Sequence, residues 1–229
     1  MSLFDGMAMI TGSTANPSSQ SGFAFPASLS EKYRPHSLAD FVGLDKPKKV
    51  LSKFADAPFP NAAFLFVGPS GTGKTTMALA LCEAIRGELH HIPSQNCNVA
   101  TVEDVVRQCH YVPRNNTLHV VLVDEADVMT AQAQLSFLSK LDGTAFPPQT
   151  VFIFTANDTE RLQPRFLSRC MTLQFSSHGM ASDAASLLES IWKREAGDAP
   201  APNFDRLVKD SRNNIRDAVN SLQVELLAV

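Results

Sequence analysis

The sequence predicts an α/β fold, in which a parallel β-sheet is flanked by helices and followed by a small helical domain. Three observations lead to this prediction. Short β-rich runs alternate with helical patterns up to residue 175. From residue 176 onward only helical patterns continue. Residues 1–30 are rich in Ser, Gly, Ala and Pro and show neither pattern. We therefore expect a flexible leader at 1–30, an α/β domain at 31–175 and a helical lid domain at 176–229.

Five β-rich runs supply the predicted strands. Several of them are apolar at consecutive positions, which is typical of a parallel sheet covered by helices on both faces. In chain order the runs are FLFVG (64–68), ELHHIP (88–93), LHVVLVD (118–124), TVFIFTA (150–156) and MTLQF (171–175). Helical patterns lie between them, at TTMALALCEAI (75–85), TVEDVVRQC (101–109) and AQAQLSFLSKL (131–141). This alternation predicts strands joined by crossover helices.

The segment after residue 175 has no further β-rich run. It contains three helical patterns, ASLLESIWKREAG (185–197), NFDRLVKDS (203–211) and IRDAVNSLQVELLAV (215–229). The stretch GDAPAPN (197–203) combines Gly, Pro and Asn, and is expected to be a loop between the first two helices. These patterns predict a three-helix domain behind the sheet.

Composition excludes several classes of protein. With 229 residues and 44% hydrophobic content, the chain can bury a core. A net charge of −3 and a pI near 6.1 argue against a protein that coats nucleic acid through overall charge. No apolar run reaches membrane-spanning length and no signal peptide is recognisable, so a cytoplasmic protein is expected.

The cysteines suggest no metal or redox motif by their spacing. Cys82, Cys97, Cys109 and Cys170 lie far apart and form no C-x-x-C pair. Neither a zinc ribbon nor a dithiol redox site is therefore expected. We interpret the four residues as buried or free thiols in a reducing compartment.

A phosphate-binding loop is predicted between the first strand and the helix that follows it. Residues 68–75 read GPSGTGKT and match the pattern G-x-x-x-x-G-K-[ST] in its strand-turn-helix context. Glycines let consecutive backbone N–H groups turn inward, and the helix N-terminus adds a positive dipole end. Lys74 would reach the β- and γ-phosphates, and the Thr75 hydroxyl would bind Mg²⁺. The expected nucleotide-binding residues of this loop are Pro69, Ser70, Gly71, Thr72, Gly73, Lys74, Thr75 and Thr76.

An acidic pair follows the third predicted strand. The run VVLVDEAD delivers Asp124 and Glu125 to the carboxyl end of a buried strand, which is the edge where ligands of such sheets bind. Asp124 is expected in the Mg²⁺ shell, and Glu125 beside the attacking water. Asp127 is interpreted as a residue that caps the next helix.

Taken together, these motifs resemble the AAA+ ATPases, and specifically clamp-loader subunits of the replication factor C type. The resemblance spans residues 31–229 and is carried by EKYRP, the phosphate loop, DEADVMTAQAQ, FTAND, LSRC and NNIRDAVNSLQ. It implies a P-loop AAA+ domain with a helical lid, and ATP and Mg²⁺ as cofactors. It also implies other AAA+ subunits, DNA and a sliding clamp as partners. Membranes are not among the expected partners.

The resemblance also implies roles for residues outside the phosphate loop and the acidic pair. Asn157 corresponds to sensor 1, and Arg216 to the lid arginine called sensor 2. Arg169 corresponds to the arginine finger that enters a neighbouring subunit's ATP site, with Arg161 and Arg165 as rival candidates. In EKYRP, Tyr33 and Arg34 are expected beside the adenine and the phosphates. The resemblance thus implies Lys74, Glu125, Asn157 and Arg169 as the catalytic set.

Departures from the family pattern leave two functions open. The chain ends at the lid, so no collar domain is expected, and the basic pair expected for DNA after the acidic motif is replaced by Leu138 and Ser139, beside Lys140. The switch segment is recognisable only at Asn96 and at residues 104–107. One candidate is a clamp-loader-type ATPase. The other is an AAA+ switch that remodels a different protein partner in a mobile element, phage or repair system.

A third candidate, a nucleotide-binding scaffold without turnover, is disfavoured because the whole catalytic set is present.

One further hypothesis concerns the leader. Leu3 and Phe4 in MSLFDG resemble short Leu-Phe peptides that dock into sliding-clamp pockets.

Overall fold

The computed structural model describes residues 27–114, 117–177 and 179–228. Five strands form one sheet in the order β2-β3-β4-β1-β5, and every neighbouring pair is parallel. The strands are β1 (Ala62–Val67), β2 (Glu88–Pro93), β3 (His119–Asp124), β4 (Thr150–Ala156) and β5 (Met171–Gln174). The predicted α/β fold and all five predicted strands are confirmed.

Helices cover both faces of this sheet. Those of the α/β domain are α1 (Leu29–Lys32), α2 (Asp45–Asp56), α3 (Lys74–Ala84), α4 (Val99–Gln108), α5 (Ala131–Lys140) and α6 (Pro164–Leu167). Short 3₁₀ turns lie at Leu38–Asp40, Ser94–Asn96 and Ala126–Val128. The helices predicted from the patterns at 75–85, 101–109 and 131–141 are present as α3, α4 and α5.

Two apolar layers follow from the alternation of side chains along the strands. Phe64 and Phe66 of β1 pack with α2 and α3 on one face, against residues such as Leu51 and Met77. The intervening Leu65 packs on the other face with residues of α4, α5 and α6, including Val102, Phe137 and Phe166. Burying both faces requires the apolar runs seen in the sequence.

Strand β2 departs from the pattern of the inner strands because it lies at an edge of the sheet. Its burial alternates, and Ile92 is its only fully buried residue among those described. His90 lies on the same face as Ile92, toward the α4 side, and His91 is exposed. The polar residues Glu88, His90 and His91 of this strand accordingly stay partly or fully exposed.

The helical domain contains α7 (Ala181–Glu195), α8 (Phe204–Asp210) and α9 (Ile215–Leu227), as predicted. Its core holds Leu188, Ile191, Trp192 and Leu222. The short helix α1 joins this core through Leu29, whose backbone N–H donates to Oε1 of Gln223 at 3.1 Å. Burial of Leu29 holds this segment against α9.

Residues 1–26 of the leader, including Leu3 and Phe4, lie outside the described residues. Within the described ranges, every helix is too short or too polar to cross a lipid bilayer.

Candidate nucleotide-binding site

The phosphate loop joins the end of β1 to the start of α3. Gly71 and Gly73 have φ values of 75° and 88°, in the left-handed region that glycine adopts without strain. A Cβ on Gly68 would lie 1.9 Å from the carbonyl oxygen of Phe175. A Cβ on Gly71 would lie 1.9 Å from Oδ1 of Asn214, which caps α9 of the helical domain. The glycine at 71 therefore permits both the turn and close approach of the lid.

Lys74 lies at the first position of α3 with its side chain buried beneath the loop. Its Nζ donates to the carbonyl oxygens of Gly68 at 2.6 Å and Pro69 at 2.9 Å, and to Oδ1 of Asn157 at 3.2 Å. Burial lowers the pKa of Lys74, and Arg216 lowers it further, while three nearby carboxylates oppose the shift. The ammonium group is thus held at the centre of the loop.

Thr75 and Asp124 meet at the carboxyl edge of the sheet. The Thr75 hydroxyl donates to Oδ1 of Asp124 at 2.7 Å. The Thr155 hydroxyl on β4 donates to the same carboxylate oxygen at 2.5 Å and accepts the backbone N–H of Glu125 at 3.0 Å. A hydroxyl beside a carboxylate is an oxygen donor set that suits Mg²⁺. These residues therefore fit the cation that the sequence predicts.

Asp127 and Asn157 form a second polar pair beside Lys74. Asn157 Nδ2 lies 3.4 Å from Oδ2 of Asp127, and its Oδ1 accepts from Lys74. Asp127 is only 8% exposed, and its Oδ1 has no hydrogen-bond partner although it is buried. A buried carboxylate oxygen without a donor is costly. Its negative charge opposes the lowering of the Lys74 pKa, so it helps to keep the lysine charged.

Two adjoining cavities lie over this edge. The smaller, about 110 Å³, is polar and extends over the phosphate loop and the acidic pair. The larger, about 610 Å³, lies between the α/β domain, the N-terminal segment and the lid. The smaller cavity is lined by Ser70, Lys74, Glu125, Thr155 and Asn157. The larger cavity is lined by Tyr33, Arg34, Phe41, Thr72, Met180 and Ile215. Both cavities share the lining residues Gly71, Gly73, Thr75, Thr76, Asp124 and Arg216.

The N-terminal segment is fixed to both domains. Arg34 Nε donates to the Thr76 hydroxyl at 3.3 Å, which connects the segment to α3. The Tyr33 hydroxyl donates to Glu195, and Lys32 Nζ lies 2.6 Å from the same carboxylate. Hydrogen bonds from Lys32 and Tyr33 lower the pKa of Glu195. Tyr33 and Arg34 therefore lie on the wall of the larger cavity, where the sequence predicted them to meet a nucleotide.

Comparison with known families agrees with this geometry. Residues 64–177 match the family described as "ATPase family associated with various cellular activities (AAA)". The chain contains an AAA ATPase domain.

Curated relatives of this AAA protein carry replication names. It is 32% identical over 206 residues to "Replication factor C small subunit 1" of Pyrobaculum islandicum, which covers 85% of this chain and 60% of that protein. It is 30% identical over 203 residues to "Replication factor C subunit 3" of Blastobotrys adeninivorans, covering 84% and 58%. The chain thus spans about 60% of the length of these relatives.

Solved structures show the same AAA fold. The "RuvB Holliday junction branch migration motor" of Thermotoga maritima superposes with a TM-score of 0.67 at 17% identity, over 86% of this chain and 72% of that one. At this level of identity the likeness concerns the fold alone.

Arg169 of the AAA domain lies apart from the residues that line both cavities. It follows α6, and its guanidinium donates to the carbonyl oxygen of Arg165 at 2.9 Å and lies 3.7 Å from Asp142. Its side chain is about one-third exposed, at 34%. The structure therefore brings Lys74, Thr75, Asp124, Glu125, Asn157 and Arg216 together around one site, and leaves Arg169 on a different surface.

Three residues near the AAA site were not among the predicted site residues. Thr155 bridges Asp124 and Glu125, Asp127 pairs with Asn157, and Asn214 contacts the glycine loop. Thr155 could have been found, because it lies two residues before Asn157 on the same strand and so shares its face. Asn214 precedes the lid arginine, but only the folded contact shows its proximity to Gly71.

Proposed function

We propose that this protein is a Mg²⁺-dependent ATPase of the AAA+ clamp-loader type. In this proposal it assembles with other AAA+ subunits when ATP is bound, and acts on DNA or a sliding clamp in DNA replication or repair. The observation that carries the proposal is the convergence of Lys74, Asp124, Asn157 and Arg216 on one polar cavity. The names of the replication factor C relatives support the clamp-loader assignment.

The residues around the cavity divide the work of phosphoryl transfer to water. Lys74 and the backbone N–H groups of the loop would hold the phosphates, and Arg216 would add a second positive charge from the lid. Thr75 and Asp124 would hold Mg²⁺, which when bound polarises the phosphates and lowers the charge repelling a nucleophile. Asn157 would hydrogen-bond the terminal phosphate or the attacking water.

Glu125 would orient the attacking water and accept its proton. It follows Asp124 directly, so the strand that positions the cation ligand also positions the base. The Thr155 hydroxyl donates to the Asp124 carboxylate and accepts the backbone N–H of Glu125, which positions the backbone that carries the proposed base. The adenine is expected in the larger cavity, beside Tyr33 and the apolar residues Leu79 and Ile215.

A second function is favoured by one observation on α5. Leu138 and Ser139 occupy the positions of the expected basic pair, and the neighbouring Lys140 forms an ion pair with Glu103 of α4 at 3.2 Å. A lysine that is already paired offers less charge to a phosphate backbone. This favours an AAA+ switch that remodels a protein partner other than a clamp.

Stimulation of ATP hydrolysis separates the two functions. If the clamp-loader proposal is correct, ATP turnover should rise when DNA and a sliding clamp are added together. The Glu125→Gln variant should then retain ATP with DNA and clamp both bound. Unchanged turnover and no retention of DNA or clamp by Glu125→Gln would favour the protein-remodelling switch. A Lys140→Ala variant tests the α5 contribution, because it removes the positive charge nearest to the substituted pair.

A further inference from the structure

A cluster of three side chains of types that bind metals lies near the amino-terminal end of β3. The nucleotide site lies at the carboxyl-terminal end of the same strand. His90 comes from β2, His119 is the first residue of β3, and Cys109 directly follows α4. One ligand atom from each residue lies within 4.8 Å of those from the other two. His119 and Cys109 are buried, and His90 is half-buried. The proposed nucleotide-dependent function uses none of them.

The two imidazole rings already have nearly the separation that a shared metal requires. His90 Nε2 lies 3.0 Å from His119 Nδ1. Two histidine nitrogens bound to tetrahedral zinc at about 2.0–2.1 Å would lie about 3.3 Å apart. Metal binding would require a small movement of the His90 ring and a change of tautomer that places its proton on Nδ1, so that two metal bonds replace the hydrogen bond. The sulfur of Cys109 would need to lie about 3.6 Å from each nitrogen, and in the structure the three ligand atoms lie within 4.8 Å of one another.

The surroundings of His119 orient it as a metal ligand. Its Nε2 lies 2.8 Å from the carbonyl oxygen of Tyr111, which can only accept, so Nε2 carries the proton. The lone pair of Nδ1 therefore points toward His90 and Cys109. A ligating histidine commonly donates its other N–H to such a carbonyl oxygen, which fixes the tautomer and the ring.

Glu88 provides a fourth donor on the same face. It precedes His90 by two residues on β2 and pairs with His119 in the strand register, so the three side chains share one side of the sheet. Its Oε2 lies 3.9 Å from His119 Nδ1 and accepts the backbone N–H of Arg114 at 2.9 Å. One thiolate and one carboxylate would neutralise a divalent cation in this half-buried position.

We propose that Cys109, His90, His119 and Glu88 form a structural Zn²⁺ site that connects the edge strand β2 to the end of α4. Thiolate and imidazole ligands favour zinc, whereas Mg²⁺ prefers oxygen ligands. Zinc would therefore bind at this cluster and Mg²⁺ at the nucleotide site. The metal would fix the chain that follows α4, because Tyr111 and Arg114 of that segment hydrogen-bond to two of the ligands.

Zinc binding to the full-length protein tests this directly. Metal-stripped protein is dialysed against Zn²⁺ without nucleotide or Mg²⁺, and bound metal is measured by elemental analysis. We expect one zinc per chain. With Co²⁺ as the probe, we expect a near-ultraviolet thiolate-to-cobalt band and the visible absorption of a tetrahedral site. The melting temperature should rise with Zn²⁺, because the folded state binds the metal.

Matched variants assign the ligands. Cys109→Ser should abolish the thiolate band, and His90→Gln and Glu88→Gln should each weaken binding about tenfold or more. Cys97→Ser is the cysteine control, since Cys97 is also buried, and His110→Ala is the histidine control, since His110 is exposed beside Cys109. Asp124→Asn is the control for zinc captured at the nucleotide site. The three controls should bind like wild type.

The proposal is overturned if the protein takes up no zinc, or if Cys109→Ser and His90→Gln bind it as wild type does. It is also overturned if Asp124→Asn abolishes binding, since the ion would then occupy the nucleotide site. Should Cys109→Ser fail to fold, His90→Gln and Glu88→Gln decide, because both replace side chains at the partly exposed edge strand.

Discussion

Lys74 and Glu125 illustrate at the residue scale how two charged groups at one site take different tasks. Lys74 is buried and fixed by three acceptors from the loop and β4. Glu125 lies at the end of β3, on the wall of the smaller cavity. In the proposed function, Lys74 would bind phosphate in every state, whereas Glu125 would act only when water attacks.

Substitutions at these two positions are expected to separate binding from turnover. Lys74→Ala should weaken ATP affinity by about 10- to 100-fold, because a charge-assisted contact to phosphate is lost. Glu125→Gln should bind ATP as wild type does and hydrolyse it at a small fraction of the rate. Calorimetric titration and a phosphate-release assay measure the two effects. Equal affinities of wild type and Lys74→Ala would contradict the phosphate-loop assignment.

At the scale of elements, we propose that the contact between the phosphate loop and α9 couples nucleotide binding to the position of the lid. Asn214 caps α9 by accepting the backbone N–H of Asp217 at 3.3 Å, and the same side chain occupies the space beside Gly71. Arg216 follows on the first turn of α9 and lines both cavities. The position of α9 against the loop therefore determines where the lid arginine lies.

Gly71→Ala is expected to disturb this contact. The added methyl group would overlap Asn214, and a φ of 75° strains any residue with a Cβ by about 1 kcal/mol or more. We expect a lower melting temperature and weaker ATP binding. Gly143→Ala is the matched control, because a Cβ there meets nothing within 4 Å.

The double variant Gly71→Ala with Asn214→Ala separates the two causes. Removing the Asn214 side chain relieves the overlap, although it also removes a helix cap that contributes about 1 kcal/mol. ATP affinity should partly recover while the melting temperature stays low. If ATP binding to Gly71→Ala equals that of wild type, the loop and the lid are not coupled through this contact.

Elements defined by contiguous sequence could be predicted, and contacts between distant elements could not. The phosphate loop carries its chemistry within residues 68–75, so spacing alone locates Lys74 and Thr75. The roles of Thr155 and Asn214 depend on the order of strands and on lid position, which no local pattern encodes. The His90, Cys109 and His119 cluster was missed for the same reason. Its members have no recognisable metal-site spacing and meet only because β2 pairs with β3 in register.

For the whole molecule, the proposed arginine finger Arg169 lies away from the cavity residues of its own chain, so we propose that it acts in the site of a neighbouring subunit. The guanidinium contacts Arg165 and Asp142 on a surface separate from the cavity-lining residues. An arginine finger raises hydrolysis by about 10³- to 10⁵-fold when it reaches a neighbour's terminal phosphate. We therefore expect turnover per subunit to fall on dilution.

Mixing two inactive variants tests this arrangement. At an ATP concentration that saturates Arg169→Ala but leaves the weaker-binding Lys74→Ala largely empty, Arg169→Ala should bind ATP but lack the finger. Lys74→Ala should still offer Arg169. Each alone should be nearly inactive, and the mixture should regain part of the wild-type rate. If Arg169→Ala hydrolyses ATP at the wild-type rate, Arg165 or Arg161 becomes the candidate for the arginine finger. An activity independent of protein concentration would indicate a monomeric enzyme.

The backbone at Glu125 has a further consequence for the evolution of this protein. Its φ of 55° lies in the left-handed region, which costs a residue with a long side chain about 1 kcal/mol. The strain therefore falls at the position where the proposed function places its catalytic carboxylate. A glycine there would relieve that strain and abolish water activation at once, so Glu125→Gly should melt at a higher temperature than Glu125→Ala while neither hydrolyses ATP. Selection for stability alone would thus favour glycine at this position.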